Sequence, residues 1–444
     1  MPITRLRLRN FKSFADSGDI PLAPLTVIFG RNNTGKSSIL QSLLLLRQTL
    51  DAAGYGARLN LAGPAYAAGS FSDLVHKHLT KQHITIEASV ATVDGRDIGE
   101  IELEFASDEP NSPRLTRLKV AGKYAEVLEI RRGVGAGGPY ELLIGGENLG
   151  KEKSADFRFS VTDFLPYIGI GVPKVGRPRA AHEKARNASR HALRLFRESL
   201  RSIRAVGAFR SEPARRYEFH GRLPGSFASG GEDVVNALIE DQTRRRRPGE
   251  LTKDVNRWLK TVGGVRLLPI RSISKAARIY ELRLKDETRS RQWANFADVG
   301  FGIGQALPVF VEGLRTAEGG TFLAQEPEIH LHPDAQLGMA DFLVALVRSK
   351  RRVLVETHSE NILLRIRHSV LGVSGAKNGR RRLTPRDISI IYVDKGRDGD
   401  SHARQLHVDE LGQIPDWPAN FMGESTRERM DIMEKMAEVA EKGN

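Results

Sequence analysis

The spacing of hydrophobic and polar positions changes along the chain, and each change predicts a different element. Ile3, Leu6 and Leu8 alternate with Thr4, Arg5, Arg7 and Arg9 before Asn10-Phe11-Lys12-Ser13-Phe14, a pattern for an edge strand and a turn. Leu25 to Phe29 is a short apolar, β-branched run that leads into glycine, and Ser38 to Leu50 is rich in helix formers. Strand, loop and helix are expected in that order. From about His83 to Val161 the period is two: Ile84 and Ile86, then Ile101, Leu103 and Phe105 between Glu100, Glu102 and Glu104, then Phe157, Phe159 and Val161. Such alternation predicts half-buried antiparallel strands, with Gly133 to Gly138 and Gly145-Gly146 as turns.

Beyond a linker at Pro173 to Pro178, the period lengthens to that of a helix from Glu183 to Arg204, and Gly231 to Leu238 and Leu251 to Leu259 predict two more. The last third returns to buried strands, Thr321 to Ala324, Arg352 to Glu356 and Ile388 to Val393, with a helix over Asp334 to Val347. A final charged helix, Thr426 to Lys442, carries Met430, Met433, Met436 and Val439 on one side, a face for packing on its own domain. The fold class is therefore α/β. A mixed or parallel sheet flanked by helices is interrupted by an antiparallel β part and a helical arm. The expected divisions are 1–80, 81–172 (antiparallel β insertion), 173–290 (basic helical insertion), 291–400 and a C-terminal extension, 401–444.

Composition changes this picture little. Hydrophobic residues make up 40% and charged residues 27% of 444, ordinary for a globular protein. No run reads as a secretory signal or approaches the roughly 20 apolar residues of a membrane span. The absence of cysteine excludes disulfides and thiolate metal sites, and cytoplasm is the expected compartment. Charge matters more. From Lys174 to Arg222 there are 14 Lys and Arg against 4 Asp and Glu, so this stretch holds +10 of the net +14.

Chemistry enters at Gly30-Arg31-Asn32-Asn33-Thr34-Gly35-Lys36-Ser37, which fits G-x-x-x-x-G-K-[ST] without a mismatch and continues into Ser38. In such a loop the backbone N–H groups curl around the β-phosphate, Lys36 neutralises the β/γ charge and the Ser37 hydroxyl ligates Mg²⁺. ATP with Mg²⁺ is the expected ligand. Thr321 to Gln325 is a buried strand running into Glu326-Pro327-Glu328, where carboxylates can hold the hydrated metal and activate a water, with Glu326 as the general base. A second buried strand runs into Glu356-Thr357-His358-Ser359, which lets His358 reach a γ-phosphate. A metal site from His330, His332, Glu326 and Glu328 is the alternative weighed against this and disfavoured. Val299-Gly300-Phe301-Gly302-Ile303-Gly304-Gln305 at a helix start is either a second anion cradle or a tight turn.

Together these motifs, with Leu8 to Phe14 and Glu326-Pro327-Glu328-Ile329-His330-Leu331-His332-Pro333, resemble RecF/SMC-like and OLD-like AAA ATPases, in the same order. The resemblance implies a P-loop NTPase head of the ABC type built from both ends of the chain. It implies an ATP-sandwiched homodimer in which the glycine turn of one copy faces the P-loop of the other. Site roles then fall on Lys12, Lys36, Ser37, Gln325, Glu326 and His358, and signature contacts on Gly302 and Gly304. Where the family usually has an acid this chain has Gln325, which implies looser Mg²⁺ binding with Glu326 or Glu328 compensating. Gly304 precedes Gln305 rather than the usual serine, which implies slow hydrolysis. Only 86 residues follow His358, so the nuclease domain of the OLD group is not expected.

In the helix from Glu183, Arg186, Arg190, Arg194, Arg197, Arg201 and Arg204 recur at spacings of four and three, beside Leu193, Phe196, Leu200 and Ile203. That spacing predicts six guanidinium groups on one outward face, suited to duplex DNA, or a solvated face with no partner. With the resemblance, which implies a place in anti-phage defence or DNA repair, the expected function is an ATPase acting as a dimeric switch on DNA or on an effector protein encoded nearby. The alternative is an ATP-binding scaffold with little turnover. A transporter motor, which would need a membrane partner, is disfavoured by the long insertion.

Overall fold

Five short apolar runs lie parallel in the spatial order Ile203–Val206, Thr321–Gln325, Arg352–Glu356, Leu25–Gly30 and Ile388–Lys395, and Ser401–Leu406 closes the sheet antiparallel. We call the first four the edge, acid, histidine and P-loop strands. The computed structural model describes residues 3–52, 56–92, 97–107, 112–122, 125–133, 138–151, 159–168, 180–219, 229–231, 233–243, 247–287, 292–372 and 382–418. The expected linker at 173–178 and the final helix with Met430, Met433, Met436 and Val439 lie outside these residues.

A parallel sheet must be covered on both faces, which is why its strands read as continuous apolar runs. Alternate residues point to two cores. Ile28, Ala205, Leu323, Leu354 and Ile391 join one, and Val27, Phe29, Phe322, Val353, Val355 and Ile390 join the other. The first core is shared with the P-loop helix Lys36–Asp51, the arginine helix Ala180–Arg201 and a second sheet. The other is filled by the glycine helix Phe301–Arg315, by Pro333–Arg348 and by Glu360–Leu371. Among the described residues no helix is long and apolar enough to cross a membrane.

The second sheet has nine strands, and it crosses the expected divisions. Ile3–Phe11 pairs antiparallel with Ile84–Ala91, from Ile3 opposite Val90 to Arg9 opposite Thr85, so the β region after residue 81 continues the sheet that the first strand begins. The arginine helix lies on this sheet at small residues. A Cβ on Gly122 would stand 3.1 Å from Ala188 Cβ, and one on Gly99 3.6 Å from Ala192 Cβ. Two further expectations differ. The helix expected to run to residue 204 stops at Arg201, and Ile203–Val206 becomes the edge strand of the core sheet. The stretch to residue 290 holds helices with one small three-stranded sheet and two strands of a second, whose third strand is Trp293–Asn295, and Ser401–Leu406 pairs with Ile388–Lys395 in the core sheet.

Candidate nucleotide site

All six residues of the P-loop strand are buried, and the strand ends where side chains no longer fit. At Gly30, φ is +151° and a Cβ would lie 2.1 Å from Val393 O; at Gly35, φ is +91° and a Cβ would lie 2.0 Å from Ser13 Oγ. Between them Arg31, Asn32 and Asn33 are exposed, while Thr34 turns inward and donates to Arg31 O at 2.9 Å. Lys36, 4% exposed as a residue, donates its ammonium to the same carbonyl at 2.6 Å. Burial lowers the Lys36 pKa, and the nearby charges of Glu356 and Glu326 raise it. The buried Ser38 N–H donates to Gly35 O at 3.0 Å. No acid stands in the first turn of the helix, so its positive end is left for an anion.

The strand order decides which carboxylate meets this loop. The histidine strand lies between the P-loop strand and the acid strand, with Glu356 opposite Gln325. Glu356 accepts from Ser37 Oγ at 2.6 Å on one side and from Gln325 Nε2 at 3.0 Å on the other. Gln325 must present its nitrogen to a carboxylate, which can only accept, and its amide oxygen lies toward Gly207. The carboxylate that stands beside Ser37 is therefore Glu356, one strand over from Gln325, the residue expected on the metal. Within Glu356-Thr357-His358-Ser359 the sequence points to a role only for His358. Its signal, an acid ending a buried strand, was present. Burial pushes the Glu356 carboxyl above its ordinary range, against the pull of Ser37, Gln325 and Lys36. Ser37 Oγ and Glu356 form a pair of oxygens of the kind a hard cation takes, so these residues fit Mg²⁺.

Glu326 begins the turn after the acid strand with φ +44°, and its N–H donates to Glu356 O at 2.8 Å. His358 Nε2 is 3.6 Å from Glu326 Oε1. Burial, with Lys36, lowers the His358 pKa against the pull of Glu326, which favours the neutral ring. Glu328, expected as one possible compensating acid, instead accepts from Thr357 Oγ1 and, at 3.0 Å, from His358 N. It is 6% exposed and fixes the turn that carries His358. His332 caps the helix at Asp334, so the weighed metal set does not converge; among the described residues no three His, Asp or Glu side chains form a metal cluster.

The remaining expected residues are engaged within the chain. Lys12 Nζ donates to Gln41 Oε1 at 2.8 Å and Tyr66 OH at 2.7 Å. Gly302 and Gly304 sit in the first turn of the glycine helix, where a Cβ would meet His330 O at 2.5 Å and Pro213 Cγ at 2.7 Å respectively. Both glycines are closely packed, while Gly300 and Phe301 at the helix start are exposed. A buried arginine that the sequence did not single out, Arg210, holds the backbone of the acid turn.

The arginine helix does not present six outward groups. At about 100° per residue, Arg186, Arg197, Arg190, Arg201 and Arg194 fall at roughly 0°, 20°, 40°, 60° and 80° around the axis, and the apolar stripe borders the first of them. Burial follows that order: Arg186 is buried, Arg197 and Arg190 are half-buried, and Arg201 and Arg194 are exposed. Arg197 forks onto Asp163 at 2.6 and 2.9 Å, and Arg194 pairs with Glu198 at 3.2 Å. Arg204, in the edge strand, pairs with Glu312 at 2.8 Å.

The family described as AAA ATPase domain matches residues 1–155 and 253–363, 266 of 444. No curated protein matches the chain. Among solved structures the chain is similar to an SMC head bound to the C-winged helix domain of ScpA, at 15% identity and TM-score 0.46, over 93% of this chain and 100% of that one. It is similar to the SMC head domain from Thermotoga maritima at 12% and 0.41, over 92% and 100%. A Pyrococcus furiosus Smc head with an extended coiled coil, bound to the C-terminal domain of ScpA, gives 13% and 0.45, over 98% and 99%.

Proposed function

The chain belongs to the AAA ATPase domain family, and from that premise we propose that it binds ATP with Mg²⁺ at the P-loop and hydrolyses it with Glu326 as general base. One observation carries the reading: Ser37 and Glu356, 319 residues apart in sequence, share a hydrogen bond of 2.6 Å. It joins the phosphate loop to the carboxylate strands. Mg²⁺ would supply neutralisation of the β- and γ-phosphate charge, and Ser37 with Glu356 would hold it. The loop N–H groups and Lys36 bind the phosphates. Gln325 keeps Glu356 aimed at Ser37. Glu326 takes the proton of the attacking water, and neutral His358 beside it orients that water or a γ-phosphate oxygen.

The test compares phosphate release from ATP by the purified chain and by Glu326→Gln. Turnover lost in the variant with ATP still bound supports the assignment. Equal release from both removes Glu326 as base and leaves the scaffold reading, which the amide at Gln325 favours. We further propose, from the resemblance, that ATP closes a homodimer over the exposed start of the glycine helix and that the dimer acts on an effector protein or duplex DNA in defence or repair. Light scattering of Glu326→Gln with and without ATP tests the closure; a monomer in both overturns it.

A further inference from the structure

Arg210 is 8% exposed, and among the described residues its four hydrogen bonds go to backbone carbonyls. Nε donates to Gly207 O at 2.9 Å, Nη1 to Gln305 O at 3.1 Å, and Nη2 to both Gln325 O and Glu326 O at 2.8 Å. Burying a guanidinium against neutral carbonyls is unfavourable, and burial pushes its pKa down to about 10 against the pull of Glu328 and Glu326. The cost has a local counterpart. Glu326 is a non-glycine residue at φ +44°, a sparsely populated conformation that persists only where the surroundings impose it. Its N–H is tied to Glu356 O and its carbonyl to Arg210, so the peptides on both sides of the carboxylate are fixed.

Gln305 is the fifth residue of the glycine helix and opens its second turn, two residues after Ile303, whose N–H donates to Gly300 O. The chain just beyond Arg210 lies on the residue before Gln305, since a Cβ on Gly304 would stand 2.7 Å from Pro213 Cγ. One planar fork with five N–H groups therefore joins the start of the glycine helix to the backbone of the general base. Arg210 also lies in 156–252, the stretch left out of the family match.

We propose that Arg210 is a positioning residue that holds Glu326 in its reactive geometry and couples it to the N-terminal end of the glycine helix. The inference rests on the ATPase reading above. A displacement of that helix end moves the Gln305 carbonyl, and the rigid guanidinium transmits the movement to the Gln325 and Glu326 carbonyls. Lysine cannot do this, because a single ammonium reaches fewer carbonyls and in no fixed plane.

The test uses the full chain with Arg210→Met, Arg210→Lys, Glu326→Gln and the double variant Arg210→Met/Glu326→Gln. Steady-state turnover, KM for ATP and affinity for a non-hydrolysable ATP analogue are measured beside thermal melting. We expect kcat to fall about a hundredfold in Arg210→Met, as for a misplacement of about 1 Å. KM and analogue affinity should stay within about threefold, and Arg210→Lys should recover only part of the rate. In the double variant the loss should be no greater than in Glu326→Gln alone, because one substitution acts through the other. Additive losses overturn the route through Glu326, and wild-type kcat in both single Arg210 variants overturns the role. A loss of analogue binding in step with kcat reduces Arg210 to a folding residue and overturns it too. A wild-type chain with no turnover overturns the ATPase reading itself and this role with it.

Discussion

Glu356→Gln is the substitution that most directly separates this site from the one its motifs suggest. The amide keeps the side-chain volume and an acceptor for Gln325 Nε2, so the change is one of charge. A carboxylate and a divalent cation about 4 Å apart attract by about 8 kcal/mol at an effective dielectric constant of about 20. Glu356 is 3% exposed, however, and the hydration it gives up on burial offsets much of that attraction. Changes around metal sites lower affinity about 10- to 100-fold, so the expected net loss is about 2 kcal/mol, or about thirtyfold. The assay titrates Mn²⁺, standing in for Mg²⁺, into chain carrying a non-hydrolysable ATP analogue, and follows the free ion by electron paramagnetic resonance. Unchanged Mn²⁺ affinity in Glu356→Gln would refute the assignment. Gln325→Glu, which the family pattern suggests should tighten the metal, would instead set a second carboxylate within 3.0 Å of Glu356. Two such acids cannot both ionise freely, so no gain is expected.

Two further outcomes can be checked. Asp16 accepts from Arg7 at 2.9 and 2.6 Å, and these hydrogen bonds hold its carboxyl below the ordinary carboxylate range against burial. An acid with a lowered folded pKa contributes stability that is complete above its unfolded value of about 3.9 and is lost as pH falls through the folded value. The melting difference between wild type and Asp16→Asn should therefore shrink on acidification below about pH 4, from a pair worth at most about 1 kcal/mol because it is partly exposed. A constant difference would refute the sign. If duplex DNA is the partner, reversing the two exposed arginines, Arg194 and Arg201, to Glu should weaken binding and lower the salt slope by about 2; unchanged binding rejects this helix as the contact.

The local features were legible in the sequence because they depend on neighbours a few residues apart. The fit of Gly30 to Ser37 to the phosphate-loop pattern, the buried runs before Glu326 and Glu356, and the two-residue period from Ile84 to Phe105 each follow from backbone geometry over one turn or one strand. Two features misled the local reading. Leu193, Phe196, Leu200 and Ile203 share a helical period, yet the chain leaves the helix after Arg201 because Ile203–Val206 finds a parallel partner in Thr321–Gln325. The arginine spacing set a common face but not its exposure, which is decided by the apolar stripe of Leu193, Phe196 and Leu200 that draws the near side of that face into the first core.

The sequence by itself determined the chemistry available: a phosphate cradle, two strand ends carrying acids, and a histidine. The tertiary structure alone decided which acid meets Ser37. Hydrogen bonds between strands are made across hundreds of residues, so strand order is not written in any local period. Setting the histidine strand beside the P-loop strand brought Glu356 to Ser37, left Gln325 hydrogen-bonded to its other side, and enclosed Arg210 behind Glu326.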